Sequence, residues 1–142
     1  MVAENFIPKR RLNPAHLLRI EMALLHRHYS FLKMKLIGSV LHVQGYCKPT
    51  EHSITYHYKI RYDPKLFPKV YVTEPEIAYN DDIHMYSDDL RLCLYYPRDH
   101  SWTENSRMFD TIIPWTHKWF LYYEIYLLTG NWEYPFVDHR KL

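Results

Sequence analysis

"SITYHYKIRYD", residues 53–63, decides the fold. Ile54, Tyr56, Tyr58, Ile60 and Tyr62 alternate with Thr55, His57, Lys59 and Arg61. Successive side chains of a strand point to opposite faces, so this period of two predicts a strand with one buried and one wet face. Asp63-Pro64 stops it, because proline has no N–H for a ladder. Upstream, "SVLHVQGYC" (39–47) carries Val40, Leu41 and Val43 and suggests another strand, joined by a turn at "EHS" (51–53). Downstream, "LFPKVYVTEP" (66–75) enters at Pro68 and turns strand-like at Val70 and Val72.

Helical patterns flank the strands. Asn13-Pro14 is a helix start: Asn caps, and Pro at the first helical position loses no needed hydrogen bond. Apolar residues then recur at helical spacing, which predicts a helix over residues 14–31 with Leu18, Met22, Leu25 and Tyr29 facing a core. At the other end, "IIPWTHKWFLYYEIYLLTGNW" (112–132) has Pro114 near its start and Gly130 after its end. Trp115, Trp119, Tyr122, Tyr123, Tyr126 and Leu127 fall at three- and four-residue steps there, which predicts a core helix. Residues 74–92 and 97–110 read as irregular, with Trp102 pinned to the body. Three or four consecutive strands joined by short links between helices imply an α+β domain built on an antiparallel meander, four-stranded in the fold class expected.

The 142 residues fit a single domain, with residues 1–12 as an irregular arm. Net charge is +2, too mild to argue for a nucleic-acid surface. The start of the chain lacks the apolar core of a signal peptide, and no apolar run approaches the ~20 residues of a membrane span. The expectation is a cytoplasmic protein with reduced thiols and no membrane partner. The ten histidines are scattered without ligand spacing, so neither metal nor cofactor is expected. No phosphate-cradling glycine-rich loop occurs, which argues against nucleotide hydrolysis.

Chemistry concentrates at "IHMYSDDLRLCLYY" (83–96). Cys93 follows an acidic turn at Asp88-Asp89 and precedes the Pro97 loop. Read from "RLCLYY" alone, it is a small hydrophobe in a buried strand or a reactive thiol at the rim. A nucleophilic cysteine must be reachable and ionised; a free thiol, with a pKa of about 8.5, is a few per cent thiolate at neutral pH. Arg91, Arg98, His84 and His100 are near enough in sequence to supply positive charge. Asp99 and His100 could form a base that activates an attacking group. Cys47, beside Lys48-Pro49, reads as structural.

The order helix, meander, irregular cysteine segment, helix resembles the ubiquitin-conjugating enzyme fold. "YDPKLFPKVYV" (62–72) is similar to that family's third-strand region, and residues 83–96 to its active-site segment. The resemblance places His84 at the first position of a His-Pro-Asn triplet, Asp88-Asp89 at the turn, and Leu92-Cys93-Leu94 at the cysteine step. Here Met85-Tyr86 stand where Pro-Asn is expected, and the spacing from His84 to Cys93 is one residue short. No residue matches the Asn thought to stabilise the oxyanion. The run "PWT…W…YE…TGNW" (114–132) resembles stand-alone bacterial members found in antiphage (CBASS) operons beside a cGAS/DncV-like nucleotidyltransferase.

That resemblance implies that Cys93 forms a thioester with the C-terminal glycine of the nucleotidyltransferase, so that cyclic-oligonucleotide signalling is regulated. It implies Cys93 as the nucleophile, with His84 orienting the segment; His100 and Asp99, in a loop that departs from the family, complete the expected catalytic set on their own chemistry alone. Trp102, Tyr95 and Tyr96 are expected to meet the partner protein. The rival expectation is a non-catalytic binding module of the same fold.

Overall fold

The computed structural model describes residues 13–95 and 101–133. Helix α1 (Pro14–His28) starts where Asn13 Oδ1 accepts the Ala15 N–H at 2.9 Å. It ends three residues before the expected boundary. Tyr29 turns extended, its hydroxyl donates to the Phe109 carbonyl at 2.6 Å, and the chain bends through Leu32 N–H to Tyr29 O. A tertiary hydrogen bond therefore ends the helix, which local propensity does not reveal.

Four strands follow: β1 (Lys33–Ile37), β2 (Val40–Cys47), β3 (Tyr56–Tyr62) and β4 (Lys69–Glu74). They pair antiparallel in the order β1-β2-β3-β4, the meander expected. The first strand lacks a clean alternation in the sequence; its residues are exposed but for half-buried Met34. A two-residue turn at Gly38-Ser39 joins it to β2, with Gly38 at φ 60°, where a side chain is disfavoured. The period of two in β3 appears as drawn: Tyr56, Tyr58, Ile60 and Tyr62 are buried and the residues between them exposed. Ile54 falls before the strand and lies exposed.

Helix α2 (Ile112–Thr129) ends on Gly130 in the left-handed region at φ 78°. Phe120 stacks on Tyr56 with ring centroids 4.6 Å apart, which lays the helix against β3. Its buried positions all fall from Ile112 to Phe120. Leu127, expected on the core face, is 60% exposed instead. A short 3-10 turn (Met108–Asp110) precedes α2 and ties it to α1, because buried Glu21 accepts the Met108 N–H at 3.3 Å. No described helix is long and apolar enough to cross a membrane.

Candidate functional site around Cys93

Beyond β4 the chain makes a tight reversal that carries the cysteine. Met85 and Leu92 form an isolated antiparallel bridge. Between them Tyr86 N–H donates to Arg91 O at 2.9 Å and Leu90 N–H to Tyr86 O at 3.0 Å. Leu90 sits at φ 65°, the one described non-glycine residue in the left-handed region, and Asp89 Oδ1 caps the turn by accepting the Arg91 N–H at 3.2 Å. Asp88 and Asp89 are turn residues, as expected.

The reversal hangs on the sheet and on α2. Leu92 N–H donates to Val70 O of β4 at 2.8 Å, and Cys93 N–H to His84 O at 2.9 Å. The same His84 carbonyl accepts the indole N–H of Trp119 at 2.7 Å. His84 thus positions Cys93 through its main chain, while its ring stacks on Trp132 at 5.2 Å.

The thiol differs from expectation. Cys93 is 3% exposed and lies between Leu92 and Leu94, both buried. Its Sγ stands 4.0 Å from the Tyr95 carbonyl. The expected solvent-reachable rim is not what the packing makes: three consecutive buried residues mean that the segment is covered on both sides. Arg91 is not free to favour a thiolate either. Its guanidinium reaches Asp89 at 2.8 Å and Asp88 at 3.3 Å and lies 3.8 Å over the Tyr86 ring.

The expected docking aromatics are also internal. Trp102 is 1% exposed, and its indole N–H donates to Thr111 Oγ1 at 2.9 Å. With its ring covered and its one donor spent on Thr111, it presents no surface to a partner. Tyr95 is half-buried among Phe67, Trp102 and Trp115, and its hydroxyl donates to the Pro68 carbonyl at 2.6 Å. Tyr96, Arg98, Asp99 and His100 lie outside the described residues. A shallow apolar cleft lined by Phe67, Val70, Tyr86, Leu92 and Tyr95 adjoins the segment, and Cys93 does not line it.

The second thiol is a different case. Cys47 ends β2, buried, and burial with the nearby Glu124 carboxylate pushes its pKa up to about 11. Ser53 and Tyr56 hydroxyls occupy the two Glu124 oxygens at 2.5 and 3.0 Å. No group of metal-ligating side chains occurs among the described residues. Trp119, which anchors the site, and Glu21, which ties α1 to the turn before α2, both escaped sequence reasoning. A tryptophan at a helical core position and a Glu within an apolar helical run were the available signals.

The family model for the Type II CBASS E2 protein matches residues 21–140, and the chain belongs to that family. No curated protein matches the sequence.

Proposed function

We propose that this member of the type II CBASS E2 family is a thioester-forming transferase whose acyl acceptor is the Cys93 thiol. The observation that supports this most is the double anchoring of the His84 carbonyl, by the Cys93 N–H and the Trp119 indole. Two independent donors on one oxygen hold the cysteine's main chain at a set place between sheet and helix, which is what an acyl-transfer site needs from its scaffold.

In the proposed step the Cys93 thiolate attacks the glycyl carbonyl at the C-terminus of a partner, activated as the thioester of a separate activating enzyme. The new bond joins Cys93 Sγ to the carbonyl carbon. The bond to the donor's sulfur breaks, and that sulfur takes up the proton that Cys93 released. The Cys93 N–H is already engaged by His84, so the oxyanion would draw on the N–H groups of Leu94 and Tyr95. Asp99 and His100 would assist the later attack of an amine. The partner proposed is a cGAS/DncV-like nucleotidyltransferase in the bacterial cytoplasm, and acylation would tune its cyclic-oligonucleotide synthesis. Trp102, Tyr95 and Tyr96 would shape the partner-side wall of the site, the first two from within the fold. No cofactor is needed.

The 3% exposure of Cys93 favours a second reading, a non-catalytic module that binds the same partner. One experiment separates them. The protein, the nucleotidyltransferase and its activating enzyme are mixed with ATP and run on non-reducing gels. The transferase reading expects a thiol-sensitive covalent band that Cys93→Ala abolishes and Cys47→Ala keeps. A stable, non-covalent complex with full signalling in Cys93→Ala establishes the binding module.

A further inference from the structure

Pairing across the sheet brings basic residues of all four strands into one row. Lys35 stands opposite His42, His42 opposite Arg61, and Arg61 opposite Lys69. In the next row Lys33 faces Gln44, Gln44 faces Lys59, and Lys59 faces Tyr71. The alternating positions Leu41, Val43, Ile60 and Val70 fill the core, so both rows lie on the opposite face, away from it. No carboxylate lies within ion-pair distance of the three lysines Lys33, Lys35 and Lys59, of Arg61 or of Lys69 among the described residues. The Lys59 ammonium lies over the Tyr71 ring, 5.5 Å from its centroid. The acidic groups at the margin are Glu74, opposite His57, and Asp89, held by Arg91 and the Tyr71 hydroxyl.

Like charges set opposite each other weaken a sheet, so folding alone does not favour this arrangement. Neighbouring strands lie about 4.8 Å apart and same-face neighbours along a strand about 7 Å apart, which makes the cations a close grid. One step beyond the second row Tyr46, opposite His57, is 48% exposed, its ring edged by Phe31 at 5.0 Å and with a face able to take a base. Two rows of cations ending beside an exposed aromatic suit an extended chain of phosphates and bases better than a folded acidic surface, which would leave the ring unused.

We propose that this face of the sheet binds single-stranded nucleic acid, with phosphates on the two cationic rows and a base stacked on Tyr46. The inference does not depend on Cys93. The chain-wide charge of +2 conceals it, because the balancing acids lie elsewhere.

The test is fluorescence anisotropy with a labelled 15-nucleotide RNA of mixed sequence, from 50 to 300 mM salt. Five cations and a slope of about −0.7 per neutralised phosphate predict a log–log salt slope of about −3.5. Lys35→Gln with Arg61→Gln should lower affinity at least tenfold and flatten the slope by about 1.4, with the melting temperature at or above that of the unsubstituted protein. Tyr46→Ala should weaken binding several-fold and leave the slope alone. Lys118→Gln, exposed on α2, and Cys93→Ala should leave the RNA affinity and its salt slope as they are. Absence of binding at 50 mM salt overturns the proposal, as does binding that the double variant retains. Competition by poly-glutamate as strong as by RNA at equal charge also overturns it, and assigns the face to an acidic protein.

Discussion

The indole N–H of Trp119 donates to the main-chain carbonyl of His84 at 2.7 Å, on the oxygen that also accepts the Cys93 N–H. A residue of α2 thereby holds the cysteine segment from 35 positions away in the chain. Trp119→Phe removes that donor with little loss of volume. It should cost about 2 kcal/mol, read by urea denaturation, for the lost hydrogen bond and the small void. Iodoacetamide labelling of native Cys93, followed by peptide mass spectrometry, should speed up several-fold. Unchanged labelling would mean that the anchor does not control access to the thiol.

Glu21 is fully buried on α1, and its carboxylate accepts the Met108 N–H, with Arg107 Nη1 at 3.8 Å. Burial raises its pKa from 4.5 to about 7 against the opposing pull of Arg107 and the Met108 N–H. Between those values the folded state binds more protons than the unfolded one. Stability must therefore fall as pH rises from about 4.5 to 7, with the full cost present above 7. Glu21→Gln keeps an acceptor for Met108 and removes the titration. Its stability should be flat through this window and exceed that of the unsubstituted protein at pH 8 by on the order of 2 kcal/mol. Chemical denaturation at a series of pH values checks both.

Gly45 of β2 is a close approach. A Cβ there would stand 2.5 Å from Tyr58 Cζ and Oη and 2.8 Å from Leu32 Cδ2. Tyr58 cannot retreat easily, being buried and hydrogen-bonded to His117 Nε2 at 2.9 Å. Gly45→Ala should cost roughly 1–3 kcal/mol, visible as a lower melting temperature, because overpacking forces strain on well-packed neighbours.

Cys47 should be inert as a nucleophile. With a pKa pushed to about 11, about one thiol in a thousand is ionised at pH 8. In Cys93→Ala protein, alkylation at pH 8 should be negligible until denaturant is added. On the folded chain the rate should rise about tenfold per pH unit toward 11. Rapid native labelling at pH 8 would contradict the burial.

The legible part of the fold was the part with a strong period. The alternation in residues 56–62, the Asn13-Pro14 start and the Gly130 stop each carry a local physical rule, and each appears in the structure. Strand β1 was illegible because almost no side chain of it is buried, so no apolar period marks it. At the site, Asp88 and Asp89 were readable as turn residues. Trp102 was readable as pinned to the body, whereas the choice between a buried and a reachable Cys93 was not, because it depends on elements brought in from elsewhere in the chain.

The sequence by itself determined the α+β order, the antiparallel meander, the one cysteine set after an acidic turn, and the family to which these belong. Those rest on spacing between near neighbours, where side-chain direction follows from backbone geometry. Tertiary structure alone decided that the thiol lies under cover, that Trp119 holds it through His84, and that basic residues from four strands share one face. Such contacts depend on which distant segments pack together, and a count of charges or a local period carries no information about that.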